Sequence, residues 1–285
     1  MLPSAFDYVA PSSLEEAIEA LGADPDARIL AGGQSLIPLL KLRLARPGRL
    51  VDLRKVGGLR YLREEDGGVA IGAMTPHAEV AASPLLAGEA RALAGAAAAV
   101  GDVQVRNRGT FGGSLAHADP SADIPAAVLA LGATLVARGP DGEREIPAED
   151  FFLAPWTTAL RPDEILTGAR IPVREGSAGA YAYLRQKASG FALVGVAAVL
   201  EMDGSTCRAA RLAVTGAGNR PLRLREAEEA LAGIDPTDGD AVREACRGAG
   251  DAIESPQDDL HASADYRRSM TEVIAARAVS RAASS

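Results

Sequence analysis

The chain has 285 residues and is 47% hydrophobic, which is enough to bury a sizeable core and long enough for two domains. Its 38 acidic residues outnumber its 30 basic ones for a formal charge of −8, which argues against a nucleic-acid partner. Cys207 and Cys246 are the only cysteines, so the chain alone has neither a disulfide framework nor the thiolate set of an iron–sulfur cluster.

The N-terminus from Met1 to Ala10 has no basic stretch followed by an apolar core, and glycine or charge interrupts the long apolar runs before membrane-spanning length. We therefore predict a cytoplasmic protein with no membrane span. His77, His117 and His261 are scattered along the chain, and no carboxylate stands at helical ligand spacing beside any two of them. We predict no metal site.

Hydrophobic patterning predicts both strands and helices. The predicted strands are 27–30, 50–53, 69–73, 134–137, 164–173, 180–184, 191–202 and 208–215. The predicted helices are 14–21, 36–44, 85–100, 123–131, 223–232, 240–248 and 264–282. Strands followed by helices in the last part of the chain indicate an α+β C-terminal domain.

Local signals support some of these elements. Ser12-Ser13-Leu14-Glu15 predicts a capping box in which Glu15 reaches back to the cap amide. Ser83-Pro84 predicts a cap and a first-turn proline for the helix from Leu85. Asp203-Gly204 predicts a hairpin turn. Gly101 to Pro120 is polar and has no regular period, so we expect a long ordered loop with a function.

Two glycine pairs stand out, in Ala31-Gly32-Gly33-Gln34-Ser35 and in Thr110-Phe111-Gly112-Gly113-Ser114. Paired glycines let backbone amides approach an anion closely, and the flanking hydroxyls add donors. One such pair is most often only a tight turn, but two of them suggest a pyrophosphate held from two sides. Neither loop has the Rossmann or Walker spacing, so the pattern points to a flavin dinucleotide held by another fold.

Short motifs occur in order along nearly the whole chain. They are Phe6 to Pro11, Ala31 to Ser35, Lys41 to Arg43, Val51 to Leu53, Gly72 to Thr75, Thr110 to Asp123, Leu160 to Ile165 and Phe191 to Ala197. Together they resemble the medium subunit of molybdenum hydroxylases of the carbon monoxide dehydrogenase and xanthine dehydrogenase type.

This resemblance implies an α+β protein. Residues 1–173 would form an FAD-binding domain of the vanillyl-alcohol-oxidase (PCMH) type, with subdomains of about 1–55 and 56–173. Residues 177–285 would form an α+β domain like the C-terminal domain of the carbon monoxide dehydrogenase flavoprotein. FAD would lie extended between these parts.

The resemblance also implies a set of cofactor-binding residues. They are Leu30, Ala31, Gly32, Gly33, Gln34, Ser35, Leu36, Ile37, Thr75, Val100, Thr110, Phe111, Gly112, Gly113, Ser114, Asp123, Leu166 and Lys187. The stretches 30–37 and 110–114 would hold the pyrophosphate, and Asp123 would take a hydroxyl of the sugar or ribityl part. Thr75 and Val100 would line the same groove. Ser114 stands where the family usually has Asn or Asp.

Near the isoalloxazine ring, Leu166 would shield the flavin and the Lys187 cation would favour its reduced anionic form. Lys187 is equally compatible with a solvated surface lysine. For His117 we favour a surface or internally bonded histidine over a flavin contact.

The resemblance implies non-covalent FAD and no catalytic residue on this chain. Substrate would be hydroxylated at a molybdenum-molybdopterin centre on a large subunit, and two [2Fe–2S] clusters on a small subunit would pass electrons singly to the flavin, which serves an external acceptor. The implied assembly is a dimer of heterotrimers. Two alternatives stay open: a stand-alone FAD-dependent oxidase of a small organic substrate, and a flavin-free structural subunit.

Overall fold

The computed structural model describes residues 2–284, so Met1 and Ser285, which the predicted domains include, lie outside the described residues. The N-terminal part forms a three-stranded parallel sheet. Its strands, in spatial order, are β1 (Asp7–Val9), β3 (Arg49–Asp52) and β2 (Arg28–Leu30). The connecting helices are α1 (Leu14–Gly22) and α2 (Leu36–Lys41). Helix α2 is thus shorter than its leucine spacing predicts.

The start of α1 is capped, although not by the predicted pair. Ser13 is the N-cap, and its hydroxyl accepts from the Glu16 amide. The carboxylate that reaches back belongs to Glu16, which accepts from the Ser12 amide at 2.8 Å. The prediction of Glu15 was wrong because the helix begins one residue later than the serine pair suggested, which moves the third helical position to Glu16.

The middle part of the chain forms a five-stranded antiparallel sheet. Its strands, in spatial order, are β4 (Leu62–Glu65), β5 (Gly68–Gly72), β10 (Ile165–Pro172), β6 (Thr134–Gly139) and β7 (Gly142–Pro147). The helices of this part are α3 (His77–Ala82), α4 (Arg91–Ala99), α5 (Val103–Arg108), α6 (Phe111–His117), α7 (Asp123–Leu131) and α8 (Ala148–Phe151). A small hairpin of β8 (Phe152–Ala154) and β9 (Thr157–Thr158) follows α8.

Patterning missed the edge strands β4 and β7. Both lie at the outer limits of the five-stranded sheet and carry several charged residues, LREE in β4 and GEREIP in β7. Charge on an edge strand discourages pairing with another chain, and it also removes the apolar alternation on which the prediction depends. The central strands β5, β6 and β10 were predicted because they are apolar.

Two predictions between residues 83 and 120 were wrong. Ser83 ends α3 and does not begin a helix, and α4 starts only at Arg91 because Gly88, with φ +53°, interrupts the helical path. The expected loop Gly101 to Pro120 contains α5 and α6, capped by the side chains of Asp102 and Thr110. Helices of six or seven residues are too short for a periodic signal to appear.

The C-terminal part forms a four-stranded antiparallel sheet. Its strands, in spatial order, are β11 (Ser177–Arg185), β12 (Ala192–Asp203), β13 (Thr206–Thr215) and β14 (Leu222–Arg223). Its helices are α9 (Arg225–Ala230), α10 (Gly239–Ala245) and α11 (Ala264–Ala283). The predicted hairpin turn at Asp203-Gly204 is confirmed, since Asp203 pairs with Thr206 and Gly204 has φ +60°.

Strand β12 is buried on both faces. Val196 and Ala198 pack into one core with the C-terminal helices, whereas Ala197 and Val199 pack into the core of the middle part. Because side chains alternate across a strand, this double burial explains why β12 is apolar without alternation. Among residues 2–284, no helix is both long enough and apolar enough to cross a bilayer.

Candidate functional site

The first glycine loop joins β2 to α2. Gly33 has φ +76°, a backbone conformation that favours glycine. A Cβ at Gly32 would clash with the Arg108 carbonyl oxygen and lie 2.7 Å from the Gly109 Cα. Gly33 therefore permits the turn, and Gly32 permits the close approach to the chain just before the second loop.

This loop leaves several polar groups without a protein partner. Within residues 2–284, no hydrogen bond engages the amides of Gly33, Gln34 or Ser35. The Ser35 side chain precedes α2 but makes no capping bond. The loop thus presents a set of donors that suits an oxyanion.

The second glycine loop forms the start of α6. The Thr110 hydroxyl accepts from the Gly113 amide at 3.1 Å. The Gly112 amide donates to the Ala73 carbonyl at 2.8 Å, and a Cβ at Gly112 would lie 2.6 Å from the Ala73 Cα. A Cβ at Gly113 would lie 3.5 Å from the Ala31 Cβ, so the two loops are in contact.

The loops open into one cavity of about 520 Å³. The predicted cofactor residues that line it are Ala31, Gly32, Gly33, Gln34, Ser35, Leu36, Val100, Thr110, Gly113, Ser114 and Asp123. Residues far apart in the sequence are therefore brought together around one cavity.

Four of the other predicted residues support the walls from behind. Thr75 is fully buried, and its hydroxyl donates to the Tyr61 carbonyl at 2.8 Å. Phe111 and Leu166 lie in the hydrophobic core, at 0% and 4% exposure. Gly112 packs on Ala73. None of these side chains lines the cavity.

The remaining three lie at the margins. Leu30 and Ile37 flank Gly33, with side-chain atoms 3.4 and 2.7 Å from the position of a Cβ there. Lys187 is exposed on the connection between β11 and β12, outside the cavity lining. The same connection brings Ser189, Gly190 and Phe191 into the lining.

Asp123 lies at the first position of α7 and is 6% exposed. The Tyr181 hydroxyl of β11 donates to it at 2.7 Å. Burial raises the pKa of Asp123 to about 6, against the opposing effects of the Tyr181 hydrogen bond and the Arg185 charge. Burial also raises the pKa of Tyr181 well above its ordinary value, so the phenol keeps its proton.

Sequence reasoning missed several lining residues. His117, for which we favoured a surface or internally bonded side chain, is half-buried and lines the cavity. Burial lowers its pKa, against the charge of Asp119. His77 also lines the cavity, and burial lowers its pKa to about 4. No spacing signal marks either histidine.

Glu164 and Arg161 form a further part of the wall. The Arg144 guanidinium donates to both Glu164 oxygens, at 2.6 and 2.8 Å, and holds the pKa of Glu164 below its ordinary value. These residues lie in the motif from Leu160 to Ile165, which contributed to the resemblance but carried no chemical assignment.

The residues present fit an extended dinucleotide. Within residues 2–284, the first loop has unbonded amides and a free hydroxyl, and glycines stand where a Cβ would fill the space between the loops. The Asp123 carboxylate also lines the cavity, where it can accept from a sugar or ribityl hydroxyl.

Comparison with known proteins agrees with this fold. A family model described as the FAD binding domain in molybdopterin dehydrogenase matches residues 4–174. A second, described as the CO dehydrogenase flavoprotein C-terminal domain, matches residues 179–282.

Full-length relatives extend the match. The carbon monoxide dehydrogenase medium chain of Hydrogenophaga pseudoflava is 39% identical, over 99% of this chain and 98% of its own. The 6-hydroxypseudooxynicotine dehydrogenase complex subunit alpha of Paenarthrobacter nicotinovorans is 38% identical, over 99% and 97%. The solved quinoline 2-oxidoreductase from Pseudomonas putida 86 matches with a TM-score of 0.92 at 38% identity, over 100% of this chain and 99% of the other.

The carbon monoxide dehydrogenase structure from Hydrogenophaga pseudoflava matches with a TM-score of 0.93 at 41% identity, over 99% of this chain and 98% of the other. Fold, site and relatives define a flavoprotein subunit of an oxidoreductase. The chain belongs to the family of FAD-binding medium subunits of carbon monoxide dehydrogenase and related molybdenum hydroxylases. Its relatives are parts of complexes, so it works with partner subunits.

Proposed function

We propose that FAD lies in the 520 Å³ cavity with its diphosphate between Gly32–Ser35 and Thr110–Ser114. The observation that supports this most directly is the contact between two glycine loops, one of which leaves its amides and a serine hydroxyl unbonded. Those groups donate to phosphate oxygens.

Other predicted residues have different parts in this proposal. Asp123 accepts a hydroxyl of the ribityl or ribose part, and Val100 lines the groove. Leu30, Ile37, Thr75, Phe111 and Gly112 fix the loops from behind. Leu166 supports the wall near the flavin ring, and Lys187 approaches the ring from the β11–β12 connection, whose following residues line the cavity.

Bound FAD supplies a carrier that accepts electrons singly and releases them as a pair. The chain holds and orients that carrier, and we assign no catalytic residue to it. Electrons come from the [2Fe–2S] clusters of a partner subunit and leave to an external acceptor. The unbonded donors also argue against the flavin-free structural subunit, which needs no anion site.

The loop assignment is tested with the purified, deflavinated chain. Wild-type protein is expected to rebind one FAD per chain. Gly32→Val is expected to lose FAD, because the side chain would push Arg108 and Gly109 away from the first loop. Gly57→Val is the matched control, since a Cβ there meets nothing within 4 Å. Full flavin occupancy in Gly32→Val would contradict the assignment.

We further propose domain limits of 1–173, divided near residue 55, and 177–285.

The complex has a large molybdenum-molybdopterin subunit and a small [2Fe–2S] subunit, forms a dimer of heterotrimers and lies in the cytoplasm. Native mass spectrometry of the complex purified through this chain is expected to give two copies of each of three subunits, with molybdenum and iron. A mass that fits a single set of subunits would reject the dimer, and recovery with the membrane fraction would reject the location. Turnover of an organic substrate by the isolated chain would favour the stand-alone oxidase.

A further inference from the structure

The buried His77 side chain lines the cavity, and no hydrogen bond within residues 2–284 engages it. The residue is 3% exposed, and its Nδ1 is sealed from solvent and unbonded within residues 2–284. Two other buried ionisable groups that line the cavity are paired, Asp123 with Tyr181 and Glu164 with Arg144. A buried polar group left unpaired destabilises the fold, so a ring that only filled space would be better replaced by an apolar side chain.

The backbone holds this ring where the two glycine loops meet. The His77 amide donates to the Gly109 carbonyl at 3.0 Å, and the Phe111 amide donates to the Thr75 carbonyl at 2.9 Å. A Cβ at Gly109 would lie 3.0 Å from the His77 Cδ2 and 3.4 Å from its Nε2. Gly32 of the first loop approaches the same Gly109.

The His77 imidazole is an uncharged hydrogen-bond donor in this position. Burial lowers the pKa of His77 to about 4, so the imidazole carries one N–H at neutral pH. A proton on Nε2 leaves the sealed Nδ1 with only a lone pair, which is easier to bury unbonded than an N–H. The N–H then lies on the ring edge that faces Gly109.

We propose that His77 donates a hydrogen bond from Nε2 to a phosphate oxygen of FAD, as a third contact to the diphosphate beside the two glycine loops; this inference rests on the proposed function. The residue binds and positions the cofactor, and it takes no part in a proton transfer. A ring held by the backbone at Gly109 fixes the diphosphate without adding a charge to the cavity.

The test compares His77→Leu, His77→Gln and the control His261→Leu, whose histidine is exposed in the C-terminal part. Each full-length chain is deflavinated and titrated with FAD. His77→Leu is expected to bind FAD about 10- to 100-fold more weakly, which is the loss of one hydrogen bond to a charged group. His77→Gln keeps a donor and is expected within a few-fold of wild type. His261→Leu is expected to match wild type.

Two further measurements separate a ligand contact from a structural role. Urea unfolding of deflavinated His77→Leu is expected to show stability equal to or above wild type, because the unpaired nitrogen is gone. Phosphorus NMR of bound FAD is expected to show a shifted diphosphate resonance in His77→Leu and none in His261→Leu. If His77→Leu does not fold, His77→Asn replaces it, since its amide is too short to reach as far as Nε2.

Unchanged FAD affinity, or diphosphate resonances identical to those of wild type, would overturn the role of His77. A wild-type chain that binds no FAD would instead overturn the proposed function. The two failures are therefore distinguishable.

Discussion

The two glycine loops meet at one cavity but are built in opposite ways. In the first, no hydrogen bond among the described residues 2–284 engages the amides of Gly33, Gln34 and Ser35. The second uses the Thr110 hydroxyl for its own Gly113 amide and packs Gly112 on Ala73. The first loop therefore leaves donors open at the cavity, whereas part of the second loop is bonded and packed into the fold, and substitutions should separate these two arrangements.

The largest expected effect is in the second loop. Gly112→Val places a branched side chain against the Ala73 backbone, which cannot move away as a flexible side chain can. We expect a loss of about 3 kcal/mol or more in the free energy of unfolding, measured by urea denaturation. Gly57→Val should stay within about 0.5 kcal/mol of wild type. Wild-type stability in Gly112→Val would break the comparison.

The burial of Asp123, in the cavity wall beyond the second loop, should make the free energy of unfolding depend on pH. The pKa of Asp123 is raised from 3.8 to about 6, so its stabilising contribution is fully present below pH 3.8 and is lost as pH rises through 6. Asp123→Asn keeps an acceptor for Tyr181 and should make the FAD-free chain about 3 kcal/mol more stable than wild type at pH 7. Equal stability of Asp123→Asn and wild type at pH 7 would contradict the raised pKa of Asp123.

The contribution of His77 to stability changes with pH in the opposite direction. Its pKa is lowered from 6.5 to about 4, so stability is lost as pH falls through that window. The contributions of Asp123 and His77 should largely cancel in the wild-type chain between pH 4 and 6. We therefore expect Asp123→Asn to be destabilised by acid more than wild type is. Its urea unfolding midpoint should fall more steeply as the pH is lowered from 6 to 4.

In the first loop, Gly33→Ala should affect binding more than folding. Its φ of +76° costs an alanine about 1–2 kcal/mol. The displaced amides should weaken FAD binding by about 10- to 100-fold, the effect of one lost bond to a charged group. Flavin fluorescence titration and urea denaturation of the same sample compare the two losses. A fall in stability with unchanged affinity would assign this loop to the fold.

The smallest effects come from the two hydroxyls. Thr110→Ala removes a helix cap and should cost about 1 kcal/mol of stability. Ser35→Ala removes a side chain with no capping bond, so stability should change by less than about 0.5 kcal/mol while FAD affinity falls a few-fold. The paired measurements are thermal unfolding without FAD and FAD titration. The comparison fails if both variants behave alike.

Apolar patterning found the elements that are long or buried. Strand β12 and helix α7 were predicted because their side chains are almost all apolar. Helices α5 and α6 were missed because their starts depend on single capping side chains, Asp102 and Thr110, and not on a period.

Site residues, like helices and strands, were predicted only where the sequence itself carries a recognisable pattern. The glycine loops have a sequence signal, since paired glycines beside hydroxyls are rare enough to notice. His77 and His117 have none, because their place in the wall depends on which distant backbone each one packs against. Such contacts, like that between His77 and Gly109, exist only after the chain has folded.

The bond from Tyr181 to Asp123 has a consequence for how this protein can be varied. Tyr181, Ala197, Val199 and Ala213 of the C-terminal sheet complete the hydrophobic cluster behind the cavity. A hybrid that joins residues 1–176 of this chain to the C-terminal domain of a relative must therefore match these four side chains. Otherwise it exposes apolar surface and leaves the Asp123 carboxyl group without its hydrogen bond. We expect the two halves to be inherited together, and crossovers at the junction to succeed only between close relatives.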